Sequence, residues 1–390
     1  MRKVMLTSAV LMALAGMALP MGTQMASAAA AKPVKTAATA AQKADDTSAY
    51  TKGVPSEKEK NNPFGLVYDG AITKNVKGQV NIRPVHYDLN GIIVAANVYL
   101  PADYDENSAK LYPAITVAHP NGGDKEQVAG LFAQKLAEAG YITIAADASY
   151  QGASTGMPRL RDYPTNRIND IDGMVDYLEM MPKVDHNRIG SLGICGGGGY
   201  TLAASQTDKR IKAVATLSMF NSGRVRRNGF QDKQIGTIQQ RLAEASEARN
   251  EELKGHVEYV GFLPPHKDDA ELRKIMEAQP EGLYKDGIDY YGLSYRSSRA
   301  TGSYTKESFL KLMTFDVEDH MDLINQPLLM VAGSAADTLY MTADAFKKAT
   351  NAKDKELYLI PGASHIKTYW QPDYVKQELA KFEEFFGKNL

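Results

Sequence analysis

The stretch that most constrains this chain runs from Arg188 to Thr201, R-I-G-S-L-G-I-C-G-G-G-G-Y-T. Ile189 to Ile194 is a short apolar run of strand character, and Tyr200 to Ser205 has helix character. Only a very tight turn is left between them. Cys195, at the apex, is the single cysteine among 390 residues. Framed as Gly193-Ile194-Cys195-Gly196-Gly197, it matches the G-x-S-x-G nucleophile elbow with sulfur in place of oxygen. A nucleophile on a strained strand-to-helix turn requires neighbours without a Cβ two residues to either side, so that strand and helix approach closely. The run Gly196 to Gly199 opens the helix, and each glycine forgoes roughly 0.8–1 kcal/mol relative to alanine in a helix interior. Even discounted for first-turn positions, the run forgoes ~2–3 kcal/mol, which points to close backbone approach as its purpose. A buried structural cysteine is the competing reading, since free Cys is among the most buried residue types. A phosphate loop fits poorly. No Lys-Ser/Thr follows, and the glycines lack the i, i+2, i+5 dinucleotide spacing.

The rest of the composition sets the setting for this thiol. The net charge of −1 gives no argument for a nucleic-acid partner or for an anionic membrane surface. Residues 1–28 have the form of a secretory signal peptide: Arg2 and Lys3, an apolar run from Val4 to Leu19, then Ala26-Ser27-Ala28 as a cleavage site. The expected location is therefore periplasmic or secreted. In an oxidising compartment an unpaired thiol is a chemical liability, which favours its having a use. Residues 29–62 are rich in Ala, Lys and Thr and then charged, and read as a disordered leader.

From Gln79 onward strands and helices alternate through residues 63–390, which predicts an α/β domain with a mostly parallel sheet covered on both faces. Val80–Tyr87 and Ile92–Leu100 form a hairpin signal around Asn90-Gly91. Further strands are expected at Pro113–Ala118, Tyr141–Ala146, Ile189–Ile194, Ile211–Leu217, Pro327–Ala332 and Glu356–Ile360. Helices fall at Lys125–Ala139, Asn166–Met181, Ala343–Ala349 and Tyr374–Phe386. Between residues 221 and 322 there is no convincing strand, only helical patterns at Ile235–Arg249, Asp269–Ala278 and Glu307–Met313. A structureless loop of that length is improbable, so this segment is expected to be a helical cap inserted into the sheet domain.

A thiol nucleophile needs a base, and the base needs an orienting carboxylate. In an elbow-bearing sheet these follow in the order nucleophile, acid, histidine, each past the C-terminal end of a strand. Asp337, in Gly333-Ser334-Ala335-Ala336-Asp337, and His365, in Pro361-Gly362-Ala363-Ser364-His365, occupy those places. An oxyanion hole needs two backbone N–H groups. One is expected from Gly196. The other should come from His119-Pro120-Asn121-Gly122-Gly123, where proline has no N–H and Asn121 is chosen ahead of Gly122. Gly122, Tyr150 and Tyr340 are further candidates for substrate contact. The cap aromatics Tyr284, Tyr290, Tyr291 and Tyr295 either line a pocket or pack the cap. Arg224, Arg226 and Arg227 form a solvated basic cluster or recognise a substrate carboxylate.

Gly152-Ala153-Ser154-Thr155-Gly156 also matches G-x-S-x-G. Its strand ends at about Ala146 and Pro158 stands where a helix should begin, so Ser154 belongs to a loop, Asp147 to Met157, at the site mouth. There is no His-Glu-x-x-His or other metal spacing, and no cofactor is implied.

Together, H-P-N-G-G-D-K-E-Q, D-A-S-Y-Q-G-A-S-T-G, the elbow stretch, G-x-x-A-D and P-G-A-S-H resemble bacterial α/β hydrolases related to dienelactone hydrolase, over about Phe64 to Leu390. The resemblance implies an α/β-hydrolase fold with an eight-stranded, mostly parallel sheet and a Cys195–His365–Asp337 triad. Relatives commonly carry Ala-Ser where this chain has Gly196-Gly197, and dienelactone hydrolase lacks the long cap. The expected chemistry is cleavage of a small-molecule ester, lactone or thioester through a covalent acyl-enzyme. An acyltransferase, a peptidase and a non-catalytic binding protein of the same fold are the alternatives.

Overall fold

The structure of the protein, a computed structural model, describes residues 53–264 and 268–390. The expected signal peptide and most of the expected leader lie outside the described residues. The hairpin comes first: β1 (Asn81–Leu89) and β2 (Ile92–Leu100) pair antiparallel. Asn90 and Gly91 both take positive φ, 55° and 83°, which the tight primed turn demands. β3 (Tyr112–Ala118), β4 (Ile142–Ala146), β5 (Val184–Ile194) and β6 (Ala213–Leu217) follow, each ending in a fully apolar or small-residue run. After the 221–322 segment come β9 (Leu328–Gly333) and β10 (Lys355–Ile360). Their order in the sheet is β1-β2-β4-β3-β5-β6-β9-β10. Only β1–β2 and β2–β4 are antiparallel. Strands β3, β4, β6 and β9, and the Ile189–Ile194 half of β5, bury both faces, as parallel strands covered by helices must.

Parallel pairing is what gathers the chemistry. Gly193 stands opposite Ala118, Ile194 opposite Leu217, and Gly333 opposite Ile360. The loops after β3, β5, β9 and β10 therefore all emerge at one edge, bringing Asn121, Cys195, Asp337 and His365 to the same end of the sheet.

The 221–322 segment contains the expected helices, with shifted ends: Ile238–Leu253, Asp269–Glu277 and Phe309–Leu312. Two more, Ser222–Asn228 and Leu283–Asp289, are too short for periodicity to reveal. The segment also contains strands that the sequence reading did not expect. β7 (Tyr259–Gly261) and β8 (Ser303–Thr305) pair antiparallel as a three-residue ribbon, shorter than any run that alternation can identify.

The leader expectation is corrected at its end. Residues 53–62 are ordered, with a helix over Glu57–Asn61 whose start is capped by Ser56 Oγ accepting from the Glu59 N–H at 3.2 Å. Composition failed here because hydrogen bonds, not apolar burial, hold the segment. Gly53 N–H donates to the Ser298 carbonyl at 2.8 Å, and the Glu59 carboxylate accepts from the Ser298 N–H at 2.7 Å and from its hydroxyl at 2.5 Å. Among the described residues no helix is long and apolar enough to cross a membrane.

The turn at Cys195 is closed by contacts no side chain could share. A Cβ on Gly197 would stand 2.5 Å from the Ala118 carbonyl oxygen and 2.6 Å from that of His119. Backbone cannot yield as a flexible side chain can. Gly197→Ala is therefore expected to lower the unfolding free energy by about 1–3 kcal/mol or more. Gly236→Ala, where a Cβ meets nothing within 4 Å, should stay within about 0.5 kcal/mol of wild type. Urea titration of the two variants checks this.

Candidate active site

Cys195 sits at φ 54°, ψ −122° between β5 and the helix Gly196–Thr207, a conformation that costs a non-glycine residue about 1–3 kcal/mol. The turn is held from both sides. The Cys195 N–H donates to the Leu217 carbonyl at 2.9 Å, and its carbonyl accepts from Gly198 and Phe220 N–H groups, both at 2.9 Å. The side chain is buried (8 % exposed).

The backbone N–H groups of Gly196 and Asn121 lie close enough to Sγ to favour its thiolate. The two donors chosen from the sequence thus both act on the sulfur. The Asn121 carboxamide lies directly over Gly196, where a Cβ would stand 2.1 Å from Oδ1. Its Nδ2 donates to Ser222 Oγ at 2.8 Å, and its Oδ1 is buried without a partner. The space that Ala-Ser would need at 196–197 is filled here by that carboxamide and by the loop backbone.

His365 is fully buried, but its neighbours differ from the expected ones. Nδ1 shares a 2.6 Å hydrogen bond with Thr338 Oγ1, and Nε2 a 2.9 Å bond with the Tyr369 hydroxyl. The Tyr369 hydroxyl in turn stands beside Cys195 Sγ, where it favours the thiolate. A line Cys195–Tyr369–His365–Thr338 therefore replaces direct Cys–His–Asp contact. The expected Asp337–His365 contact is not made. Asp337 faces the 221–322 segment, where its Oδ2 accepts from the Leu283 N–H at 2.9 Å, and its Oδ1 is buried without a partner. Thr338 precedes the helix Leu339–Lys348 as its cap residue, yet its hydroxyl makes no cap bond and goes to His365 instead.

Electrostatics follow from this geometry. Burial alone pushes the His365 imidazole down to about 3. Burial also raises the Cys195 thiol above its ordinary value, against the opposing donors Tyr369, Gly196 and Asn121. The resting pair is thus thiol and neutral imidazole, not thiolate and imidazolium.

The remaining candidates lie elsewhere. Gly122 (φ 69°) packs on Gly302, whose N–H donates to its carbonyl at 3.3 Å. Tyr150 packs on Gly156 of its own loop. The Tyr340 hydroxyl accepts from the Gln231 N–H at 3.2 Å under the Arg224 guanidinium. None of the three hydrogen-bonds to Cys195 or His365. Ser154 is consumed structurally, accepting from the Ala95 N–H and donating to the Asp147 carbonyl. His119 is likewise structural, its Nε2 accepting from the Ala148 N–H at 3.0 Å. Tyr369 was missed from sequence. Its one signal is its place four residues after His365, which a helical turn brings to the same side.

The buried imidazole makes a stability prediction. Folding holds His365 neutral with a value near 3, whereas in the unfolded chain it titrates near 6.5. Its contribution is complete above about pH 6.5 and is lost as pH falls toward 3, because only the unfolded chain takes up the proton. The unfolding free energy of wild type should therefore fall more steeply than that of His365→Gln below about pH 6.5, by up to about 1.4 kcal/mol per pH unit. Urea unfolding of both proteins across that range tests it.

Comparison with known proteins agrees with this architecture. The X-Pro dipeptidyl-peptidase (S15 family) sequence model matches residues 90–367. The uncharacterised protein YcjY of Escherichia coli K12 is 36% identical over 302 residues, 77% of this chain and 95% of YcjY. PA2218 of Pseudomonas aeruginosa is 33% identical over 306 residues, 77% of this chain and 78% of PA2218. Its crystal structure superimposes with a TM-score of 0.71, covering 81% of this chain and 96% of that one. The α/β hydrolase GrgF from Penicillium, 18% identical, shares the fold, with a TM-score of 0.64 over 79% of this chain and 99% of its own. A strained elbow on a mostly parallel eight-stranded sheet, and a family match over most of the ordered chain, make this protein an α/β hydrolase that belongs to the X-Pro dipeptidyl-peptidase (S15) family.

Proposed function

We propose that the protein hydrolyses an activated acyl compound, an ester or thioester, with Cys195 as nucleophile. The observation that carries this is that the Gly196 and Asn121 N–H groups both act on Cys195 Sγ, with Tyr369 and His365 in line behind it. In this mechanism an entering carbonyl oxygen takes the two N–H groups as its oxyanion hole. The sulfur attacks the carbonyl carbon as its proton passes to the Tyr369 oxygen and the Tyr369 proton passes to His365 Nε2, with Nδ1–H donating to Thr338. His365 then protonates the leaving oxygen or sulfur. Water, deprotonated by the same imidazole, cleaves the thioester and restores the thiol.

Because the resting imidazole is neutral, deprotonation of the thiol is coupled to attack and no preformed ion pair is needed. Thr338 fixes the ring in place of a carboxylate, and Asp337 makes no contact with it. The family supports a second reading, amide cleavage after Xaa-Pro, although a thiol expels an amine less readily than an alcohol or thiol.

Turnover of p-nitrophenyl acetate beside an Xaa-Pro-p-nitroanilide separates the two. Ester cleavage should dominate, and Cys195→Ala and His365→Ala should each abolish it. Tyr369→Phe, which interrupts the proton path, should lower kcat by about 100-fold. Thr338→Val should cost about 5–10-fold, the loss of one hydrogen bond to the ring, and Asp337→Asn should cost less. Iodoacetamide labelling of free Cys195 should rise only at a pH above that of an ordinary thiol, while ester turnover persists well below it.

A further inference from the structure

Three arginines leave the end of β6 together, and the structure treats them differently. Arg224 is paired with Asp232 (2.7 Å), Glu318 (3.2 Å) and Asp344 (2.8 Å), and Arg227 with Asp316 (2.7 Å). Both belong to a structural charge network. Arg226, between them, has no carboxylate within ion-pair distance and no side-chain hydrogen bond among the described residues, and its Nε is buried without a partner. It lies 4.7 Å from the ring centre of Tyr304. A cation–π contact of that kind contributes about 0.5–2 kcal/mol, but a ring face provides no acceptors for five N–H donors. Its Nε has thus lost water without gaining a partner, and the guanidinium lines the cavity beside it, where an anion would complete it.

The charge of one buried carboxylate, Asp162, reaches Arg226, but Asp162 stands 3.7 Å from Arg167, and the cavity beside Arg226 favours an anion. Arg226 lines this cavity of about 470 Å³ with Phe230, Lys233, Arg241, Tyr284 and Tyr304, and no carboxylate side chain takes part in the lining. Arg241 is already engaged by the carbonyls of Arg226, Arg227 and Gln234, which leaves Arg226 as the inner cation with free donors.

The cavity also has a defined relation to the nucleophile. Arg226 and Ser222 are four residues apart on the helix Ser222–Asn228 and share a face. Ser222 is the residue that holds the Asn121 carboxamide over Gly196. Helical side chains lean toward the helix N-terminus, so the guanidinium is carried back toward Asn121. Its charge reaches Cys195, where it favours the thiolate.

We infer that Arg226 binds a carboxylate at the far end of the acyl chain, so that the substrates are half-esters or half-thioesters of dicarboxylic acids. This rests on the acyl-hydrolase reading above and adds the substrate class to it. The same arrangement is unsuited to a free α-ammonium group, which would meet three cations.

The test compares mono-p-nitrophenyl glutarate with p-nitrophenyl valerate in wild type, Arg226→Gln and Arg226→Lys. Wild type should show a kcat/KM at least about 10-fold higher on the half-ester, the range expected of a charge-assisted hydrogen bond. Arg226→Gln should lose that preference mainly through KM on the half-ester, and a urea unfolding midpoint equal to that of wild type reports that the variant is folded. Arg226→Lys should recover part of the preference. Equal use of both esters by wild type, or an equal loss on both in Arg226→Gln, overturns the inference and leaves the acyl-hydrolase reading standing. Binding is measured separately by calorimetry of monomethyl glutarate with Cys195→Ala and with Cys195→Ala/Arg226→Gln. Binding to the first and not the second, in a wild type that cleaves no ester, would keep the carboxylate site and reject the hydrolase reading. Equal binding to both, or binding to neither, rejects the site.

Discussion

Everything at the reactive edge of the sheet depends on how closely the Cys195 turn is pressed against the loop after β3. The contact exists because residues 196 and 197 have no Cβ. One such atom would meet the Asn121 carboxamide and the other the backbone carbonyls of Ala118 and His119. The approach brings the Asn121 N–H and the Gly196 N–H to bear on the sulfur, and it holds Cys195 in a backbone conformation that a freely chosen residue would leave. The stability that the glycine run forgoes is thus exchanged for two aligned donors that need no reorganisation when charge develops before them.

Behind the sulfur the site is built from neutral groups. The first partners of His365 are two hydroxyls, Tyr369 and Thr338, and the carboxylate expected to orient it, Asp337, is turned toward the Leu283 backbone. Without a carboxylate to stabilise imidazolium, burial dominates and the ring stays unprotonated. Such a site keeps its base available over a wide pH range, and its thiol is quiet until a substrate enters. For an exported protein, as the N-terminal sequence leads us to propose, a lone thiol that stays protonated at rest is less exposed to oxidation than a standing thiolate.

The sequence was informative wherever a local pattern carries the physics. The elbow glycines, the Asn90-Gly91 turn and the apolar strands follow from steric and burial rules that act over a few residues, and they predicted the sheet and the gathering of Asn121, Cys195 and His365 at one edge. It was uninformative wherever pairing is decided across the fold. Nothing local distinguishes Arg226 from Arg224 and Arg227. The difference lies in Asp232, Glu318, Asp344 and Asp316, three of them about ninety or more residues away. Thr338 carries no local signal of a role at the site, whereas Asp337 beside it has the residue type that a triad requires. Only the observed positions show which of the two neighbours reaches the imidazole. The helix over Glu57–Asn61 failed in the other direction, because polar bonds to Ser298 order a segment whose composition lacks apolar residues.

The central claim is that a covalent acyl group forms on Cys195. The most direct measurement is acid quenching of the enzyme during steady turnover of a p-nitrophenyl ester, followed by peptide mass spectrometry. Our account predicts one acyl group on the peptide that carries Cys195, reduced when Tyr369→Phe slows its formation and absent from Cys195→Ala. An acyl group on another residue, or undiminished turnover by Cys195→Ala with no adduct, would contradict it.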